Sequence, residues 1–106
     1  MKKTEKLKVS FGKDVRANHL VIHPNDGFDL GMMTKEHPVS LCTEIPLEHF
    51  LSGAEGHAVP ARVELRNECP SRTLQINAKT WEKIGKPDSA VVLYDGSRIF
   101  LCPVTK

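Results

Sequence analysis

A chain of 106 residues, 40% apolar and 26% charged with a formal charge of +2, is sized for one modest core and lacks the polarity of a disordered chain. Aromatic residues make up only 6%, so the core has to come from Val, Leu and Ile, which favour strands. No run approaches the ~20 apolar residues of a membrane span, MKKTEKLK has no apolar leader, and three cysteines are too few for a disulfide scaffold, which together imply the cytoplasm.

Residues 1–6 read as a basic, flexible N-terminal arm. Leu7, Val9 and Phe11 then alternate with Lys8 and Ser10, the period of a half-buried strand. Val15 to His23 reads as a second strand centred on Leu20-Val21-Ile22. Pro24-Asn25-Asp26-Gly27 follows as a turn, since Asn, Asp and Gly tolerate left-handed backbone. Phe28, Leu30 and Met32 alternate into a third strand, and His37 to Ile45 supplies a fourth. Pro46 to Leu51 has the signature of a short helix, with Pro early and Gly53 beyond its end. Ala58 to Arg66 is the next strand, with Pro60 placing its start at an edge or outside the ladder.

Residues 73–104 form one local plan. TLQIN is a strand, Asn77 is a helix N-cap, and Ala78, Trp81 and Ile84 make one apolar helix face. Gly85 and Pro87 stop that helix, and AVVLYDGSRIFLCP is a hairpin with Asp95-Gly96 at its tip. The order of elements in residues 39–65 resembles that in 73–94, and a true repeat would imply a pseudo-twofold barrel closed within one chain. The expected fold is therefore mainly β (α+β). It is a single domain over residues 1–106, a small β-barrel of seven or eight short strands with two short helices.

Charge is unevenly spread. Met1 to Arg16 holds six basic residues against two acidic ones, Ala17 to Pro60 one against six, and Ala61 to Lys106 eight against five. The basic side chains of the last third that suit phosphate contacts are Arg72, Lys79, Lys83, Lys86 and Arg98. Lys79, Lys83 and Lys86 are spaced to line one helix face, opposite Trp81 and Ile84. The bland alternative is a solvated amphipathic face.

Enzymatic signatures are absent: there is no Gly-x-Ser-x-Gly elbow and no phosphate-cradling Gly-rich loop. Metal-ligating candidates are His19, His23 and Cys42, without Cys-x-x-Cys or helical His-x-x-x-His spacing. His19 and His23 would stand roughly 13 Å apart along a strand, too far to share one ion. Cys69-Pro70 and Cys102-Pro103 are Cys-Pro pairs of the haem-regulatory kind, which makes Cys69 and Cys102 the candidate axial ligands. No cofactor is expected from any of these.

TLQINAKTWEKIGKPDSAVVLYDGSRIFLCPV resembles the swapped-hairpin unit of the AbrB and SpoVT family. The resemblance covers residues 73–104 and rests on Leu74, Ile76, Trp81, Ile84, Gly85, Val91, Leu93, Gly96, Ile99 and Pro103. It implies a small non-enzymatic bacterial regulator or accessory protein, a homodimer whose interleaved barrel binds double-stranded DNA. Two other readings stand beside it: a protein-interaction or structural module with a protein partner and no nucleic acid, and a metal- or haem-binding protein. None of them involves a membrane.

Overall fold

The computed structural model describes residues 1–11, 14–43, 45–54 and 56–104. Eight strands are present among them: β1 (Lys2–Lys3), β2 (Leu7–Phe11), β3 (His19–Ile22), β4 (Glu36–Thr43), β5 (His57–Leu65), β6 (Thr73–Ile76), β7 (Ser89–Tyr94) and β8 (Arg98–Val104). Three short helices join them: α1 (Pro24–Asp29), α2 (Leu47–Leu51) and α3 (Ala78–Lys83). Seven strands close a barrel in the order β7-β2-β6-β3-β5-β4-β8, with β8 returning to β7. Closure gives each of these seven strands a neighbour on both sides, which removes the open edges of a flat sheet.

β1 is the extra strand. It continues along the β7 edge that β2 occupies, with Lys2 opposite Tyr94 and Leu7 opposite Ala90. Thr4 bridges the break between them. Its amide donates to the Val92 carbonyl at 3.0 Å, and the Val92 amide donates to its Oγ1 at 3.1 Å. The basic arm expected to be flexible is thus paired backbone, and Thr4 is buried.

Period-two alternation fills the barrel. Leu20 and Ile22, Leu74 and Ile76, Val39 and Leu41, Ala61 and Val63, Ala90 and Val92, and Ile99 and Leu101 all point inward. Leu30 and Met32 follow α1 into this core, and Trp81 and Ile84 pack against it from α3. Outside the barrel, α2 lays Phe50 on Phe100, stacked at 5.1 Å, beside Cys42 and Leu93. A further outer cluster joins Val15, Val21 and Cys69.

Several expected elements differ. The second strand begins only at His19, because Asn18 takes a left-handed φ of 66° after a turn. The expected turn at Pro24–Gly27 and strand through Phe28, Leu30 and Met32 are instead α1 and its exit. Pro24 opens that helix, His23 Nδ1 accepts the Asn25 amide at 3.0 Å, and Phe28 is 70% exposed. Tertiary packing decides the matter. Gly27 lies so close to the Leu65 side chain that a Cβ there would meet Leu65 Cδ2 at 2.5 Å. This third helix also corrects the expected count of two. On α3, Thr80 is buried where Ala78 was expected, and Ala78 is exposed. The hairpin tip is as expected, with Tyr94 opposite Ile99 and Gly96 at φ 104°.

An internal repeat is present, in a different frame from the one expected. β4 and β5 pair directly as antiparallel neighbours around α2, whereas β6 and β7 do not pair with each other, so 39–65 and 73–94 are not equivalent. The equivalent units are β2-β3-α1-β4 and β5-β6-α3-β7. Parallel β2–β6 pairing (Lys8 to Thr73) repeats as parallel β5–β3 pairing (Arg62 to His19), each residue shifted by 54 positions. Asn18 and Arg72, at φ 66° and 58°, occupy matching turns, and their carbonyls accept the Arg62 and Lys8 amides at 3.1 and 2.9 Å. His23 and Asn77 are matching N-caps. Gly31 and Gly85, at φ 75° and 93°, end the two helices, and the amides of Met32 and Lys86 close the same turns onto Gly27 and Trp81, both at 2.9 Å. Even the packing corresponds: Trp81 meets Phe11 edge-on at 4.9 Å where Gly27 meets Leu65. Among the seven ring strands β8 alone has no counterpart, and it is inserted between β4 and β7.

Candidate nucleic-acid interface

Asn77 Oδ1 accepts the Lys79 amide at 2.9 Å and starts α3, while Trp81 anchors it by donating Nε1–H to the Pro87 carbonyl at 2.9 Å. This leaves Lys79 and Lys83 exposed on the outer side of the helix. Lys86 departs from the expected helix face. It lies beyond the last helical residue at φ 57°, and its ammonium sits 5.9 Å from the centroid of the Trp81 ring, on the side thought to be opposite. The Gly85 exit folds the chain back over the indole, which a straight helical projection does not anticipate.

Two adjoining grooves meet at Gly85 and Pro103. One, of about 350 Å³, is walled by Ile45, Ile84, Phe100 and Leu101 with Lys83 at its edge. The other, of about 330 Å³, is lined by Lys6, Lys86, Pro87, Asp88 and Ser89. Lys6 reaches this place because the chain entering β2 runs beside the start of β7. Among the described residues, Asp88 is the one carboxylate lining either groove. Lys8 is exposed on neighbouring β2, opposite Thr73. Lys6 and Lys8 lay outside the expected set. The basic density of the first segment was their only signal, and nothing local tied it to α3.

The two arginines behave differently from the lysines. Arg72 is exposed and pairs with Glu5 at 3.1 Å, both side chains more than half exposed, a contact worth little in water and open to exchange for a phosphate. Its amide donates to buried Asp26 Oδ2 at 2.8 Å, which ties the turn before β6 to α1. Arg98 is spent inside the fold. Its guanidinium lies 4.3 Å from the Phe50 ring centroid and donates to Asp95 Oδ2 (2.6 Å), Ala54 O (2.8 Å) and Phe50 O (3.2 Å). It caps carbonyls of the last turn of α2 and of the loop after it, and these bonds hold the guanidinium against the fold.

The remaining candidates are not brought together. His19 Nδ1 lies 3.0 Å from Glu64 Oε2, and Arg66 donates to Glu64 Oε1 at 2.8 Å. Burial pulls the Glu64 carboxyl up, but hydrogen bonds from Arg66 and His19 outweigh it and hold the group below its ordinary value. The matching positions in the other repeat, Ser10 for Glu64 and Thr73 for His19, are neutral, so this cluster belongs to one half only. His23 is used as a helix cap and Cys42 is buried beneath α2. Among the described residues no group of three or more His, Cys, Asp or Glu is placed to hold a metal ion.

The cysteines proposed for haem are likewise separated in character. Cys69 is buried, its thiol directed at the carbonyls of Thr73, Pro70 and Val21 at 3.5, 3.6 and 3.8 Å. Burial, with nearby Asp26, pushes that thiol up to about 11, so it is not a thiolate at neutral pH. Cys102 is half-buried on β8 beside the α2 cluster. No helix among the described residues is long and apolar enough to cross a membrane. Comparison with protein-family models, curated proteins and solved structures finds no match to this chain in any of the three.

Proposed function

We propose that this is a non-enzymatic regulatory or accessory protein that binds the phosphate backbone of duplex DNA through the α3 side of the barrel. The observation that carries the reading is the convergence of Lys6 with Lys83 and Lys86 on grooves that meet at Gly85. Exposed Lys8 and Lys79 extend the same surface. Ammonium groups on flexible stems suit phosphates as point charges and carry no base code, so affinity is expected to depend weakly on sequence. The seven-strand ring closes within one chain, so the reading needs no second copy.

The test is fluorescence anisotropy of a labelled duplex across salt concentrations. Engagement of three to five of these lysines gives a slope of log affinity against log salt of roughly −2.7 to −4.5. Changing Lys79→Gln, Lys83→Gln and Lys86→Asn together, the last keeping a residue that tolerates left-handed backbone, should flatten the slope by roughly 2 to 3 with the thermal midpoint preserved. A flat salt response, or no binding at low salt, overturns the reading.

A protein-interaction module is the second reading. It is favoured by Phe28 and Met33, 70% and 81% exposed on and just after α1, where the matching α3 position of Phe28 is Glu82. Its signature is a protein partner lost in the Phe28→Ser, Met33→Ser double variant.

A further inference from the structure

We propose that the paired groove at Gly85 binds an amphipathic anion, a hydrocarbon chain ending in a carboxylate, and that this ligand competes with duplex for the same lysines. The binding site stands on its own geometry; only the competition rests on the DNA reading. Ile45, Ile84, Phe100 and Leu101 form an apolar trough of about 350 Å³. Lys83 stands at its edge, and Lys86 and Lys6 line the groove that continues it past Gly85. A chain laid in the trough delivers its head group among three ammonium groups. This volume lies in the range of small-molecule sites, which combine apolar walls with a few placed polar groups.

The internal repeat supplies a built-in comparison. The groove matching this one, at Gly31, is lined by Met1, Lys2, Leu30, Tyr94, Asp95 and Gly96. That groove is of similar volume, about 330 Å³, but the protein's own cation stands at its glycine. The Lys2 ammonium lies 2.7 Å from where a Gly31 Cβ would stand, and the Tyr94 hydroxyl donates to the Gly96 carbonyl at 2.9 Å. At Gly85 nothing lies within 4 Å of the corresponding point. The charge on the helix ends also differs, because Lys83 and Lys86 stand where the first repeat has Asp29 and Met32. One copy of the framework places its own lysine against the glycine; the other leaves the glycine clear, with an apolar trough on one side and Lys6 and Lys86, with the single carboxylate Asp88, on the other.

The test uses the full chain and decanoate below its micellar range. Trp81 is the sole tryptophan, and Lys86 sits over its ring, so pairing of that ammonium with a carboxylate should change its emission saturably. Calorimetry should give decanoate at least tenfold tighter binding than acetate, which lacks the tail, or decanol, which lacks the charge. Lys83→Gln with Lys86→Asn should weaken decanoate at least tenfold, and Ile45→Ser should weaken decanoate while leaving duplex affinity unchanged. Decanoate should also displace labelled duplex. Binding of decanoate without any duplex binding keeps the site and removes the DNA reading. Duplex binding without decanoate binding, acetate matching decanoate, or full decanoate affinity in the lysine variant each overturns the site.

Discussion

Replacing Arg98 with Gln separates a structural cation from the surface lysines. The guanidinium makes three hydrogen bonds, to Asp95, Ala54 and Phe50, and lies over the Phe50 ring, with its side chain 14% exposed. Hydrogen bonds to charged groups each contribute roughly 1.5–3 kcal/mol and a partly desolvated cation–π contact about 1 kcal/mol, but these terms overlap in one side chain. Asp95 also keeps the amides of Ser97 and Arg98, at 3.0 and 2.7 Å, so it is not orphaned by the change. The expected net loss is about 2–3 kcal/mol, which for a domain of this size lowers the thermal midpoint by roughly 8–20 °C. Arg98→Lys should recover little of it, because an ammonium cannot span the three acceptors as the planar fork does. Urea denaturation followed by circular dichroism measures the loss, and the same samples titrated with duplex should keep wild-type affinity. A loss under about 0.5 kcal/mol would refute this reasoning and return Arg98 to the surface charges.

Acid gives a second handle on the same contact. Burial alone would raise the Asp95 carboxyl, yet the Arg98 and Ser97 amides and the guanidinium outweigh it and hold it below its ordinary value. A carboxylate depressed in the folded state stabilises fully above its unfolded pKa and loses that contribution as pH falls through the folded one. The stability gap between wild type and Asp95→Asn, read from urea midpoints, should therefore be level from about pH 7 to 5 and shrink below about pH 4; a gap that persists in acid contradicts it. Gly85→Ala meets no neighbour, so its cost should be only that of a left-handed φ of 93°, about 1 kcal/mol by thermal melt. In native protein, an alkylating thiol reagent followed by peptide mass mapping should label Cys102 well before Cys69, whose thiol is buried and raised to about 11.

The hairpin at Asp95-Gly96, the Asn77 cap and the Gly85 stop were legible because each depends on residues within a few positions. α1 was not. Asn25-Asp26-Gly27 carries turn chemistry, and Phe28, Leu30 and Met32 alternate as a strand would. What makes the segment helical is remote: Gly27 packed beneath Leu65, and buried Asp26 accepting the Arg72 amide. The repeat was legible in principle and was read in the wrong frame. At a shift of 54 the two units share Val9 with Val63, Leu20 with Leu74, Ile22 with Ile76 and Gly31 with Gly85, all of them packing or backbone positions. Identities so few are outweighed by the coincidence of a second helix, α2, before β5. The basic surface was only partly legible for a related reason: helix spacing puts Lys79 and Lys83 on the outer side of α3, but only the barrel brings Lys6 to the groove that Lys86 lines.

The insertion of β8 between β4 and β7 bears on how the protein is made. Until residues 98–104 have left the ribosome, the nascent chain holds an open sheet whose β4 and β7 edges are unpaired. The parallel β2–β6 contact also has to wait, since Lys8 and Thr73 are separated by most of the chain. Non-local pairing of this kind is slow and leaves strand edges open to other chains in the interval. The folding polypeptide is therefore most exposed to aggregation before β8 docks, and that one strand acts as the latch.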